Sequence, residues 1–269
     1  MVGRLLLVLL VVVLAGVAVW AVSLATRPAP QIRGGNGFTV PLLQVAPGAA
    51  APGLVVRQAN SQPGAQPASA EKGPAQVPNK SLSAWARKMA ARTDIPVRVL
   101  VGYAGAEVAL RKQQPDCHLS WTTLAGIGRV ESDHGRYGGA TVLPSGQESM
   151  PIMGVPLDGA SGVQAIPAPG TGQANPGGAP AWARAQGPMQ FLPDTWAKWG
   201  QRANGDGRAP DPQNIDDATL AAAKYLCAGG RNLLTATGWW DAVMSYNNSV
   251  SYGQQVFSGA DAYARASRA

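Results

Sequence analysis

At residues 120–132 the chain runs Ser-Trp-Thr-Thr-Leu-Ala-Gly-Ile-Gly-Arg-Val-Glu-Ser, an apolar helical pattern that ends in an acid. Leu124, Ile127 and Val130 predict a largely buried helix. Glu131 then emerges at the end of this helix, in a partly desolvated cleft. Desolvation raises the pKa of a carboxyl group, which a general acid working near neutral pH requires. A glutamate at a helix end is also a common surface residue, so this pattern alone leaves catalysis open.

Helical spacing continues on both sides of this segment, and no alternating strand pattern of useful length interrupts it. We therefore predict a mainly α-helical domain over residues 81–269. Besides residues 120–132, the predicted helices cover residues 81–92, 96–115 with Asp94 as cap, 193–199, 216–228 with Asp216 as N-cap, 239–247 and 258–267.

The N-terminus carries an uncharged apolar segment at residues 5–25, between Arg4 and Arg27. Its length is sufficient for a helix that crosses the hydrocarbon core of a membrane. We predict a single-pass signal anchor, with the first four residues in the cytoplasm and everything after Arg27 exported. Ser23 and Ala25 would also suit signal-peptide cleavage, so a secreted protein is the alternative.

Glycine and proline are unevenly distributed. The 269 residues include 33 Gly and 22 Pro. These two residue types are concentrated in residues 26–80 and 138–180. The first stretch cannot bury enough apolar surface to fold, and we predict a disordered linker there. The second lies inside the helical domain, and we predict a long loop that acts as a mobile lid, to which Glu148 or Asp158 contributes.

The net charge of +7 does not indicate a nucleic-acid-binding protein, because Lys and Arg form no run. A diffuse positive field fits anionic cell-wall polymers or anionic membrane surfaces better. Charge that serves only solubility is the alternative.

The two cysteines, Cys117 and Cys227, both lie in the part predicted to be exported. Oxidising conditions favour a disulfide between them, and two separately buried thiols are the alternative. The two histidines, His118 and His134, belong to no cluster with metal-ligand spacing. No Gly-x-Ser-x-Gly element supports a serine hydrolase.

Three motifs occur in one order along the chain: Ile127-Gly-Arg-Val-Glu-Ser-Asp-His-Gly-Arg136, Gly187-Pro-Met-Gln-Phe-Leu-Pro193 and Tyr246-Asn-Asn-Ser-Val-Ser-Tyr252. Together they resemble the motifs of the lytic murein transglycosylases, particularly the membrane-bound lytic transglycosylase B family. The similarity covers about residues 81–257. It implies a lysozyme-like helical fold around a groove that binds peptidoglycan glycan strands.

The resemblance also implies roles for single residues. Glu131 would be the one catalytic acid and base, which cleaves the β-1,4 bond between N-acetylmuramic acid and N-acetylglucosamine and forms a 1,6-anhydro end. The other implied site residues line the groove or support it. They are Ser132 at the helix end, Gln190 on the groove with Met189 and Phe191 packed beneath it, Tyr246 beside Glu131, Asn247 polarising the sugar, and Tyr252 stacking on a pyranose face.

Some members of this family carry an EF-hand-like calcium loop, which residues 204–207 and the following acids resemble. The ligand candidates are Asn204, Asp206 and Asp216. However, Arg202 occupies the position where the first acidic ligand is expected. Its positively charged guanidinium would lie next to the calcium ion and repel it. We therefore expect no cofactor, and a polar turn instead of a calcium site.

The leading prediction is thus a membrane-anchored, extracytoplasmic lytic transglycosylase of a bacterium that remodels peptidoglycan. Proteins of cell-wall synthesis or division are its expected partners. Two alternatives remain open: a hydrolytic muramidase on the same fold, and a catalytically weak wall-binding scaffold.

Overall fold

The computed structural model describes residues 31–33, 39–41, 46–52, 80–160, 164–169 and 181–269. These residues are mainly helical, as predicted. The helices are α1 (Lys80–Thr93), α2 (Val97–Gln113), α3 (Trp121–Ser132), α4 (Pro193–Trp199), α5 (Ile215–Leu226), α6 (Ala236–Tyr246) and α7 (Val250–Arg268). Short 3₁₀ turns lie at Pro115–Cys117, Tyr137–Gly139 and Ala228–Gly230.

Two of the predicted helix caps are wrong. Asp94 follows α1 in the left-handed conformation (φ 58°), and α2 begins after Pro96 without a side-chain cap. Asn214 caps α5 in place of Asp216: its extended backbone lets the side-chain oxygen accept hydrogen bonds from the first-turn N–H groups. Asp216 lies inside the helix and forms an ion pair with Arg98.

Helices α6 and α7 begin earlier than predicted, because the residue before each one is a side-chain cap. Thr235 accepts a hydrogen bond from the N–H of Gly238, which starts α6 at Ala236. Ser249 accepts one from the N–H of Tyr252, which starts α7 eight residues before the predicted position 258.

Helix α3 is the central helix of the domain. Its residues from Trp121 to Gly128 are all buried, and it packs most extensively against α7. The two helices approach closely at Gly126, where a Cβ would lie only 2.7 Å from the carbonyl oxygen of Val256. Any larger residue would push α7 away from α3, and with it the side chains that α7 brings to the end of α3.

The predicted disulfide is confirmed. Cys117, in the 3₁₀ turn before α3, is bonded to Cys227 at the end of α5, with their Cα atoms 5.5 Å apart. Cys117 and Cys227 are 110 residues apart in sequence, so the bond links two distant parts of the domain.

Part of the predicted linker packs against the domain, which corrects the predicted boundary at residue 81. Residues 46–52 lie along α2 and α3, where Ala51 is 2% exposed. The N–H of Ala51 donates to the buried carboxylate of Glu107 (3.3 Å), and the indole N–H of Trp121 donates to the carbonyl of Ala49 (2.9 Å). These main-chain contacts leave no periodic signal in the sequence. We call residues 46–52 the strap.

The linker also contains a short antiparallel strand pair, β1 (Gln31–Arg33) and β2 (Thr39–Pro41), with Ile32 opposite Val40. The rest of the predicted linker lies outside the described residues, and so do the predicted anchor at residues 5–25 and the four residues before it. None of the helices among the described residues combines the length and the mean hydropathy that a membrane span requires.

The stretch predicted as a long loop, residues 138–180, is described at 138–160 and 164–169. Main-chain hydrogen bonds pair its described residues with one another and with the segment that follows. The N–H of Ile166 donates to the carbonyl of Leu157 (2.8 Å), and the N–H of Leu157 donates to the carbonyl of Ala183 (2.9 Å). Asp158 is exposed and accepts a hydrogen bond from its own turn. Its role in a lid stays a prediction.

Candidate active site

Glu131 lies in the last turn of α3 and is half-buried, as the apolar pattern before it predicts. The hydroxyl of Tyr252, from the first turn of α7, donates a hydrogen bond of 2.6 Å to Oε1 of Glu131. Burial raises the pKa of the Glu131 carboxyl from 4.5 to about 7, and the Tyr252 hydrogen bond opposes the rise. The group can therefore hold a proton or release it near neutral pH.

The three sequence motifs meet at this helix end. The hydroxyl of Ser132 donates to the carbonyl of Pro188 (2.7 Å), and the hydroxyl of Tyr246 donates to the carbonyl of Met189 (2.7 Å). The turn that contains Pro188 and Met189 is thus held from two sides, by α3 and by the end of α6. With the Tyr252 bond to Glu131, each motif contacts another through a defined hydrogen bond.

The turn itself depends on Gly187 and Gln190, which both have positive φ, 74° and 48°. At Gly187 a Cβ would lie 1.7 Å from the carbonyl oxygen of Pro212, so only glycine fits. Gln190 is a non-glycine residue in the left-handed region, and such strain is concentrated at functional sites. Its amide donates to the carbonyl of Gly187 (2.8 Å) while the side chain stays half-buried. This hydrogen bond fixes the amide of Gln190 within the turn of the second motif.

Met189 and Phe191 are 0% and 2% exposed, in agreement with their expected place beneath Gln190. They belong to the core and cannot touch a glycan directly. Phe191 packs its edge against Tyr246, with ring centroids 5.8 Å apart. Their contribution to the site is to fix the turn that carries Gln190.

Tyr252 takes a position that differs from its implied role. It is buried at 6% exposure and contacts Glu131, so its ring is not available to stack on a sugar. Tyr246 lies near Glu131: burial raises the pKa of its phenol, the charge of Glu131 raises it further, and its hydroxyl donates to the carbonyl of Met189. Ser132 is 2% exposed and lies at the helix end, as expected, where its hydroxyl also accepts from the N–H of Gly135. Asn247 is exposed just after α6, where a ligand can reach it.

A buried polar chain that the sequence analysis missed lies under the end of α3. The hydroxyl of Tyr103 contacts Nδ1 of His134 (3.1 Å), and Nε2 of His134 contacts the hydroxyl of Tyr263 (2.8 Å). Burial lowers the pKa of His134 to about 4, so the ring is neutral at pH 7. A Cβ on Gly128 would lie 2.0 Å from the Tyr103 hydroxyl. A glycine inside this buried helix was therefore the one feature of the sequence that indicated a side chain packed closely against it.

Glu148, predicted in a lid, is instead a buried residue at 5% exposure. Neither of its carboxyl oxygens has a hydrogen-bond partner among the described residues. Burial raises its pKa to about 7. Oε1 lies 2.6 Å from the position of a Cβ on Gly135, in the turn that follows α3. Glu148 is thus a second perturbed acid, packed behind the turn of the first motif.

The candidate calcium residues lie in a network organised by Arg202. Its guanidinium bonds to Asp206 and to the buried carboxylate of Asp217, each at 2.8 Å. Asn204 donates to Asp206 as well (3.0 Å). Asp216, the third candidate, is paired with Arg98 and not with this loop. The acids here are neutralised by an arginine, which fits the predicted polar turn better than a calcium site.

Comparison with family models, with curated proteins and with solved structures finds no match for this chain.

Proposed function

We propose that the chain is a peptidoglycan lytic transglycosylase that cleaves the β-1,4 bond between N-acetylmuramic acid and N-acetylglucosamine. The observation that carries the proposal is the carboxyl of Glu131. It lies where three separate motifs meet, it is bonded to Tyr252 at 2.6 Å, and burial raises its pKa to about 7. A lysozyme-like arrangement of the helices around a glycan groove belongs to the proposal.

In the first step, protonated Glu131 donates its proton to the glycosidic oxygen of the leaving N-acetylglucosamine, and the C1–O bond breaks. The carbonyl oxygen of the muramoyl 2-acetamido group closes on C1 and carries the developing positive charge. A pKa of about 7 supports this role, since much of the carboxyl is protonated at neutral pH. The half-buried Gln190 and the exposed Asn247 would orient the sugar.

In the second step, the Glu131 carboxylate removes the proton from the C6 hydroxyl. The C6 oxygen attacks C1, the bond from C1 to the acetamido oxygen breaks, and the 1,6-anhydro ring forms. The proton returns Glu131 to its starting state, so one carboxyl serves twice. The Tyr252 hydroxyl stabilises the ionised form between the two steps, because it is a hydrogen-bond donor to the carboxylate.

Export of the domain is part of the proposal. The Cys117–Cys227 disulfide supports it, since such bonds persist in oxidising compartments. Anchoring by residues 5–25 in a bacterial membrane, and recruitment by proteins of cell-wall synthesis or division, are proposed from the sequence alone.

The test uses the full chain on isolated peptidoglycan, with mass spectrometry of the released fragments. Ends that are lighter by one water than hydrolysed muropeptides are expected. Glu131→Gln should lower the rate about 10²–10⁴-fold, the usual loss of general acid–base catalysis. Asp133→Asn is the matched control: Asp133 is exposed and pairs with Arg136, so most activity should remain.

The products separate the alternatives. Hydrated ends would identify a hydrolytic muramidase, and binding to peptidoglycan without cleavage would identify a wall-binding protein. A Glu131→Gln variant with near wild-type rate would refute the assignment of the catalytic group.

A further inference from the structure

The loop between α4 and α5, residues 200–214, contains no helix or strand and is closed by one arginine. The guanidinium of Arg202 bonds on two sides. Its Nε and Nη2 donate to the two carboxylate oxygens of Asp206, and its Nη1 donates to Asp217, each at 2.8 Å. Asp217 is 1% exposed and lies in the first turn of α5. Arg202 therefore ties the start of the α4–α5 loop to the helix that follows it, 15 residues further along the chain.

Asp217 extends this tie to the main chain of the loop. Its carboxylate oxygens also accept hydrogen bonds from the N–H of Ala203 (2.8 Å) and from the N–H of Asp211 (3.0 Å). Removing one partner of a buried ion pair leaves an uncompensated charge in the interior. The position of Asp217, and of the two N–H groups bonded to it, therefore depends on the guanidinium of Arg202.

The residues after Asp211 pack directly against the turn of the second motif. The carbonyl oxygen of Pro212 lies so close to Gly187 that a Cβ there would be 1.7 Å from it. The side-chain amide of Gln213 bonds to both main-chain groups of Ile152, at 2.9 and 3.1 Å. The carbonyl of Ile152 in turn accepts a hydrogen bond from the N–H of Gly187 (2.9 Å). The α4–α5 loop thus reaches this turn both directly and through Ile152.

The geometry points to Arg202 as a positioning residue of the candidate site: it fixes the α4–α5 loop, and the loop fixes the turn that carries Gln190. Ser132 and Tyr246 hold the same turn from α3 and α6, so the loop is its third support. The guanidinium also takes the place of a cation among the acids of the loop, so the loop closes without calcium. The consequence for the reaction rests on the proposed function, whereas the effect on the turn does not.

The experiment is hydrogen–deuterium exchange of the full chain in detergent, followed by mass spectrometry, for wild type and Arg202→Gln. The N–H groups of Gly187 and Gln190 are hydrogen-bonded at 2.9 and 3.1 Å, so their exchange reports whether the turn is held. Exchange of residues 186–191 should be about tenfold faster in the variant, the effect of losing one hydrogen bond to a charged group. Arg208→Ala, at an exposed arginine of the same loop, is the matched control and should leave this exchange unchanged. Calcium or a chelator should not change the exchange of wild type.

Exchange at Ile127, in the centre of α3, separates positioning of the turn from general stability. It should rise far less than exchange of residues 186–191. An equal rise in both segments, an unchanged rate in the turn, or a wild-type rate that calcium slows would overturn the inference. If Arg202→Gln does not fold, Arg202→Lys replaces it, because an ammonium group lacks the fork that bonds both carboxylates. Exchange in the turn should then still rise about threefold, and a wild-type rate would again overturn the inference.

Cleavage of isolated peptidoglycan is the second readout, and it depends on the proposed function. Arg202→Gln should lower kcat/KM about tenfold, while the limbs of its pH profile stay at the wild-type pH, because Glu131 and Tyr252 are not changed. Arg208→Ala should keep the wild-type value. A loosened turn with a wild-type kcat/KM would refute the positioning role in catalysis. Faster exchange in Arg202→Gln together with no cleavage by wild type would refute the proposed function and leave the role of Arg202 in the turn supported.

Discussion

Replacing Glu131 by glutamine should stabilise the fold while it lowers the rate of catalysis about 10²–10⁴-fold. The substitution keeps the size of the side chain and an oxygen that accepts the hydrogen bond from Tyr252. It removes the charge that the half-buried position must otherwise accommodate above neutral pH. The same desolvation that prepares the group for proton transfer is thus a cost to stability.

The size and sign of the effect follow from the pKa. In the folded protein it is raised from 4.5 to about 7, which corresponds to about 3 kcal/mol of unfolding free energy. Below about pH 4.5 the carboxyl is protonated in both the folded and the unfolded protein, so it does not lower the unfolding free energy. Between about 4.5 and 7 the folded state holds a proton that the unfolded state releases, so the stability of wild type falls as the pH rises. Above pH 7 the carboxyl is ionised in both states, and the folded protein is destabilised by the full amount.

The assay is urea unfolding of the full chain in detergent, for wild type and Glu131→Gln, from pH 5 to 8. The difference between the two should grow with pH and reach about 3 kcal/mol at pH 8. Glu148→Gln is a matched control, because Glu148 is also buried with a pKa of about 7. It should show a similar pH-dependent gain and keep its activity. A difference for Glu131→Gln that is the same at pH 5 and pH 8 would refute the reasoning.

Three further outcomes are expected. Tyr252→Phe removes the hydrogen bond that lowers the pKa of Glu131. The alkaline limb of the pH profile of kcat/KM should therefore move up by about one to two pH units. An alkaline limb at the wild-type pH would contradict the hydrogen bond between Tyr252 and Glu131. Peptide mapping should find Cys117 bonded to Cys227, and reduction should lower the melting temperature, since closing a loop of this length is worth about 4.7 kcal/mol in the chain-entropy model; free thiols would disprove it. Deletion of the strap, residues 46–52, should lower the melting temperature by several degrees, and an unchanged value would show that it is dispensable.

Much of the fold could be predicted from the sequence because its signals are local. The apolar spacing at Leu124, Ile127 and Val130 predicts the central helix and the partial burial of Glu131, and the structure confirms both. The disulfide followed from the presence of two cysteines in a part of the chain predicted to be exported. These inferences needed no knowledge of which elements pack together.

The remaining features depend on partners that are distant in sequence. The strap is held by main-chain groups that meet Glu107 and Trp121, and main-chain groups are the same in every sequence. Glu148 lies in a Gly- and Pro-rich stretch, where composition suggests exposure, yet the turn at Gly135 covers it. The caps at Asp94 and Asp216 were wrong because other residues nearby could begin the helix, and only the backbone decides which of them does so.

The start of α7 shows how one local signal controls the candidate site. Tyr252 and Tyr263 are 11 residues apart, about three helical turns, so they lie on the same face of a continuous helix. Tyr252 reaches Glu131 and Tyr263 reaches His134, which places one contact on each side of the end of α3. A helix that began at residue 258 would leave Tyr252 in a loop and free to stack on a sugar, as the motif alone suggested. Because Ser249 caps the helix eight residues earlier, Tyr252 becomes a rigid, buried donor whose position is fixed by the packing of α7 on Gly126. The third motif therefore acts through the first: burial sets the raised pKa of Glu131, and the final tyrosine of the third motif limits the rise through its hydrogen bond.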